Sequence, residues 1–134
     1  MKILSHLTSA AVMAFLLATQ TGCLFAAGAA GAVAVVKYLD GDLDASVDAP
    51  PVRTVEAAKM AMQELQIKVA TAQSSSLDGQ LVAYTATDTK VKIKVNQLTE
   101  QSSKVTIRVG TWGDKDMSLR ILEKIKAHLQ TPVP

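Results

Sequence analysis

Two short runs, residues 90–96 (KVKIKVN) and 104–109 (KVTIRV), alternate apolar and polar side chains without a break. Successive side chains on a strand point to opposite faces. The period of two therefore puts Val91, Ile93 and Val95 on one face and Lys90, Lys92, Lys94 and Asn96 on the other. The second run sets Val105, Ile107 and Val109 against Lys104, Thr106 and Arg108 in the same way. Such strands belong to an antiparallel sheet with one buried and one wet face. The apolar face must be covered, so the rest of the chain has to supply amphipathic helices.

The flanking sequence meets that demand. Residues 66–73 (QIKVATAQ) read as a strand with Ile67, Val69 and Thr71 on one face, and residues 74–79 (SSSLDG) as a loop closing in Asp-Gly, a hairpin signal. Residues 80–87 form the next strand, followed by a tight turn at Asp88-Thr89, and residues 99–103 make a polar loop. Ahead of them, residues 35–47 (VVKYLDGDLDASV) alternate loosely and predict one extended segment with Tyr38, Leu43 and Val47 inward. After Pro50-Pro51, Thr54 offers an N-cap to a helix over residues 55–65, whose stripe is Val55, Ala58, Met62 and Leu65. Residues 110–113 (GTWG) turn the chain out of the sheet. Asp114 then caps a second helix, from Lys115 to His128 or Leu129, with Ile121, Leu122, Ile125 and Leu129 as its core stripe. Asp116 near its start and Lys124, Lys126 and His128 near its end complement the helix dipole. The expectation is an α+β two-layer sandwich: an antiparallel sheet of about five strands with two helices, in the order β-α-β-β-β-β-α.

The N-terminal residues say where such a domain belongs. Lys2 makes a small basic start, residues 10–18 (AAVMAFLLA) an apolar run, and residues 19–22 (TQTG) a small polar stretch before Cys23, the single cysteine of the chain. This arrangement resembles the lipobox of bacterial lipoproteins, in which cleavage exposes an N-terminal cysteine whose thiol is acylated. Gly22 fits the pattern, and Gln20 stands where such lipoboxes usually carry Leu. A lone cysteine cannot form an intrachain disulfide, and acylation removes a thiol that an oxidising compartment would attack. Hydrophobicity returns in residues 24–36 (LFAAGAAGAVAVV), yet neither apolar half reaches the roughly 20 residues of a spanning helix. The expected organisation is a lipoprotein signal peptide over residues 1–22, an Ala/Gly-rich lipid-anchored tether over 23–36, one α+β domain over 37–131 and a tail over 132–134. In a Gram-negative cell, Leu24 rather than Asp after the cysteine is compatible with sorting to the periplasmic face of the outer membrane.

Charge and chemistry narrow the function classes. The chain holds 14 basic and 12 acidic residues, and Lys2 is the one charged side chain of the leader. A balance this near neutral argues against nucleic acid as a partner. Asp40, Asp42 and Asp44 have the D-x-D-x-D spacing of a calcium loop, but the sixth position is Ala45 and the twelfth is Pro51 rather than Glu, so a solvated strand edge is the expected role. Met60 and Met62 are expected to fill space, since no cysteine or histidine accompanies them. His128 is the single histidine beyond the leader, in the last turn of a helix, and no nucleophile–base pair, zinc-ligand cluster or phosphate-binding glycine loop is visible. No enzyme activity, metal or cofactor is expected.

The C-terminal residues carry a family resemblance. Residues 105–110 (VTIRVG), then Trp112-Gly113-Asp114, Ser118 and Arg120-Ile121-Leu122 are similar to the signature of a bacterial family of uncharacterised, predicted lipoproteins, domain of unknown function 3568. The likeness extends upstream through Gly22-Cys23, Tyr38, Gly41-Asp42-Leu43, Ala57, Ala58 and Leu65. It implies a small lipid-anchored envelope protein with no assigned activity. Physically, Gly110 and Gly113 permit a sharp strand-to-helix turn with positive φ, Asp114 and Ser118 suit a helix start, and Arg108 suits pairing with an acid on a neighbouring strand.

The functional expectation is a non-enzymatic accessory or interaction domain, held at an envelope membrane by acylated Cys23 and contacting another envelope component. The alternative is a small binding module for a lipid or apolar ligand held between sheet and helices. Lys90, Lys92, Lys94, Lys104 and Arg108 are the candidate contacts for an anionic surface, against the plainer role of a solvated sheet face protected by lysines.

Overall fold

The computed structural model describes residues 36–131. They form six strands and two helices: β1 Lys37–Leu39, β2 Asp42–Val47, α1 Pro51–Glu64, β3 Lys68–Ser74, β4 Asp78–Tyr84, β5 Lys90–Thr99, β6 Ser102–Val109 and α2 Lys115–Gln130. The strands make one antiparallel sheet in the order β1-β2-β6-β5-β4-β3. Both helices pack on the same face. α1 lies over β3, β4 and β5, α2 over β2 and β6, and the two helices touch each other. The α+β sandwich and its element order are those expected, with the first strand split into a hairpin.

Register explains why one face is dry. The row Tyr38–Leu43–Ile107–Ile93–Leu81–Ala72 runs across all six strands through directly opposed residues. Leu43, Ile93 and Leu81 are fully buried and Ile107 nearly so. Flanking rows Ala45–Val105–Val95 and Val109–Val91–Ala83–Val69 continue the apolar face. Val55, Ala58 and Met62 from α1, and Ile121, Leu122 and Ile125 from α2, close over it. Burial of this kind contributes roughly 25 cal/mol per Å² of apolar surface removed from water. Gly79 opposes Val95 in β4. A Cβ there would collide with the Val55 side chain, so this glycine lets α1 settle onto the sheet.

Four local expectations are corrected. The extended segment over 35–47 is a hairpin, because Asp40 (φ 52°) and Gly41 (φ 87°) both adopt the left-handed conformation of a two-residue turn. This gives six strands rather than five. Helix α1 begins at Pro51, a turn earlier than a Thr54 cap implies, since proline lacks the N–H that a first helical residue leaves unused. Thr54 lies inside the first turn, its Oγ1 donating to the Pro50 carbonyl at 3.0 Å. In β3 the register shifts between Val69 and Thr71, so Val69 and Ala72 face the core while Thr71 faces outward with its partner Val82. Asp78-Gly79 is strand rather than turn, with Gly79 paired to Ser74. The Ser75 hydroxyl organises the turn by donating to the Asp78 carboxylate at 2.7 Å and accepting from the Leu77 and Asp78 N–H groups.

Helix ends follow capping chemistry. Asp114 accepts the Met117 N–H at 3.0 Å, as expected of an N-cap, and the buried Ser118 hydroxyl donates to the Asp114 carbonyl at 2.6 Å. α1 ends with Gln66 at φ 57°, while Ile67 N–H bonds Met62 O and Gln66 N–H bonds Gln63 O. That is a Schellman closure with glutamine where glycine is usual.

Candidate functional site

The strands that bury alternate residues under the helices present the others on the opposite face, which no described element covers. Its rows are set by the same register. One reads Leu39–Asp42–Arg108–Lys92–Val82–Thr71, and the next Lys37–Asp44–Thr106–Lys94–Gln80–Gln73. Lys90 opposes Tyr84, and Lys104 lies between Ser46 and Asn96. All five basic residues singled out from the sequence, Lys90, Lys92, Lys94, Lys104 and Arg108, thus share this face. Cys23 lies outside the described residues.

The five do not act as one group. Strand β2 contributes two carboxylates in phase with the pleat, and they take up the β6 cations. Arg108 Nη1 donates to Asp42 Oδ1 at 2.9 Å, and Lys104 Nζ is 2.9 Å from Asp44 Oδ2. Thr106 Oγ1 also donates to Asp44 at 2.6 Å. Partial burial pushes the Asp44 carboxyl pKa up. Hydrogen bonds from Thr106 and Lys104, with the attraction of Lys104 and Lys37, outweigh that and hold it below the usual aspartate value. Lys90, Lys92 and Lys94 on β5 are different: no described carboxylate pairs with any of them. Lys92 moreover stands directly opposite Arg108, whose charge Asp42 already takes up.

Arg108 does more than pair with an acid. Its Nη1 also donates to the Asp40 carbonyl at 3.1 Å and its Nη2 to the Thr111 carbonyl at 2.8 Å. The planar guanidinium thereby ties the β1–β2 turn to the β6–α2 turn. The backbones of those turns touch: a Cβ on Gly113 (φ 83°) would fall on the Gly41 backbone. The positive φ expected at Gly110 and Gly113 is present, at 71° and 83°.

Between these glycines sits Trp112, 91 % exposed. Together with Lys90, Lys92, Arg108, Asp88 and Thr89 it borders an open groove of 530 Å³ at this end of the sheet. A second depression of 240 Å³, lined by Asp42, Lys92, Lys94, Thr106 and Arg108, lies next to it on the face. Sequence reasoning read Trp112 as part of a turn and of the family signature, not as a surface group. Its signal was its place: a large aromatic between glycines, outside every apolar stripe.

The remaining candidates have structural roles. Met62 is fully buried as expected, whereas Met60 lies exposed on α1 and does not fill the core. His128 Nε2 lies 3.0 Å from Glu64 Oε2, and Lys124 donates to the same carboxylate, so the group joins the two helices. Arg53 of α1 adds a bond to the Leu129 carbonyl at 2.9 Å, near the end of α2. Among the described residues, no group of three or more His, Cys, Asp or Glu side chains is placed to hold a metal.

The family model described as "Protein of unknown function (DUF3568)" matches residues 6–128, and the chain belongs to that family. No curated protein matches the chain.

Proposed function

We propose that this member of the DUF3568 family is a lipid-anchored protein of the bacterial cell envelope whose domain makes contacts at the membrane surface rather than catalysing a reaction. The observation that carries the reading is Cys23, the single cysteine, placed directly after an apolar leader-like run and a small polar stretch. The family match begins at residue 6 and so takes in both that run and Cys23. The domain's architecture suits the role. One face of the sheet is spent on the core, and the other offers a lysine row that no carboxylate among the described residues pairs with.

The space between sheet and helices is taken up by Leu43, Met62, Ile93, Ile107, Ile121 and Ile125, each at most 1 % exposed. This packing supports the interaction reading over a module that holds an apolar ligand between its layers. His128, the single histidine among the described residues, bonds Glu64 at the seam between the two helices.

The test is the mass of the N-terminal peptide of the full chain isolated from cell membranes. The reading expects a peptide that begins at Cys23 and carries acyl chains, and a Cys23→Ala chain that leaves the membrane fraction on washing. An intact leader, or an unmodified Cys23 on a soluble chain, would overturn the anchor.

A further inference from the structure

We infer that the domain rests on an anionic bilayer through the rim of its open face, with the Trp112 indole at head-group level and Lys90, Lys92 and Lys94 over the lipid phosphates. This deepens the lipid-anchor reading and rests on it. A tryptophan with 91 % of its surface in water gives up the large stabilisation that burial of its ring supplies. The backbone on either side of it is held: Arg108 donates to the Thr111 carbonyl, and Gly113 packs against the Gly41 backbone. The turn that carries the ring is therefore formed in advance, which lowers the backbone ordering cost of a contact. Indole rings prefer the boundary between apolar and aqueous phases, where body and N–H are each satisfied.

The surroundings match that phase. Leu39, 54 % exposed, stands on the same face at the head of the row that leads through Asp42 and Arg108 to Lys92. The groove beside Trp112 is lined by Lys90 and Lys92, by Arg108 already paired with Asp42, and by one carboxylate, Asp88. Lys94 continues the β5 row into the neighbouring depression. Basic side chains near an anionic leaflet each favour binding by about fivefold.

Covalent geometry also favours a bilayer over an acidic protein. The described chain begins at Val36, three positions before Leu39 on the edge strand β1. The segment back to Cys23 spans at most on the order of 45 Å even when fully extended. An acylated Cys23 would keep Val36, the residue before the domain's edge strand, within that distance of lipid at all times, so a weak intrinsic affinity suffices.

Trp112 is the single tryptophan of the chain, so its fluorescence reports this site alone. The experiment places the full chain, and separately the Cys23→Ala chain, with vesicles of phosphatidylcholine alone or mixed with phosphatidylglycerol. The expected result is a blue shift and quenching by brominated lipid on the anionic vesicles. For the Cys23→Ala chain, the joint K90Q, K92Q and K94Q change should weaken binding by on the order of tenfold to a hundredfold. If the full chain floats with vesicles while Trp112 emission stays that of an exposed indole, the docking is overturned and the anchor stands. If Cys23 carries no lipid yet Trp112 still shifts on anionic vesicles, the anchor fails and the docking stands. An equal shift on neutral vesicles overturns the lysine recognition. A shift with soluble polyglutamate but not with vesicles assigns the surface to an acidic protein and overturns the bilayer.

Discussion

Ile107 and Thr106 are neighbours in one strand, yet they belong to two different problems. Ile107 faces the helices within a row of apolar side chains that crosses the whole sheet, and its exposure is 1 %. Thr106 faces the open side and bonds Asp44. The same register builds both faces, so the pleat separates what the molecule needs in order to fold from what it offers to the outside. The covered face has its apolar groups matched. On the open face the matching stops partway: β2 carboxylates neutralise the β6 cations, and the β5 lysines meet no carboxylate among the described residues.

The comparison is broken most severely by Ile107→Ala. It removes a branched side chain from the centre of the core and should cost about 2–5 kcal/mol in urea unfolding. A loss below about 1 kcal/mol would mean that the central row does not carry the fold. Next in size is Gly113→Ala, which puts a Cβ onto the Gly41 backbone at a positive φ. Strain of this kind costs on the order of 1–3 kcal/mol. The same change should also loosen Trp112, seen as lower fluorescence anisotropy, and an unaltered anisotropy would argue that the turn is not locked.

Thr106→Val sharpens the contrast from the other side of the same strand. It deletes the hydrogen bond to Asp44 and should cost about 1 kcal/mol, with the larger share of the effect seen above pH 4. The pH dependence follows from sign. The folded Asp44 pKa is lowered, so its stabilisation is fully present above the unfolded value and is lost as pH falls through the folded one. Glu64 behaves alike: the Lys124 hydrogen bond lowers its pKa first and foremost, burial opposes this, and the His128 hydrogen bond adds to the lowering. Lys124 is raised by Glu64, and its contribution is lost instead as pH rises through its folded pKa. Denaturant midpoints measured across acid pH should therefore fall, and Asp44→Asn should flatten the fall. An unchanged acid slope in that variant would remove Asp44 from the account. The smallest effect belongs to Lys90, Lys92 and Lys94. Changing all three to Gln should move stability by no more than about 0.5 kcal/mol per site while reducing surface binding.

Much of this contrast was legible in the chain. The runs over 90–96 and 104–109 named the buried and exposed sets residue by residue, and both helix stripes were visible at their spacing. Asp114 was readable as a cap because Asp before an amphipathic run has one obvious use. What escaped depended on partners distant in sequence. Asp42 and Asp44 read as solvated carboxylates of a strand edge until β2 was set beside β6, where each meets a cation. The bulge at Val69–Thr71 is invisible to a period-two count, because Ala70 and Ala72 are both small and apolar and the run fits either phase. Trp112 was seen but underread, since exposure is a property of the assembled turn rather than of the tripeptide.

The most direct test of the open face as the working surface is amine labelling of the full chain in native membranes and after detergent extraction, read lysine by lysine by mass spectrometry. The account predicts that Lys90, Lys92 and Lys94 are protected in the membrane and become reactive on extraction, while Lys59 and Lys126 on the helices label equally in both. Equal labelling of all five in the two states would contradict it.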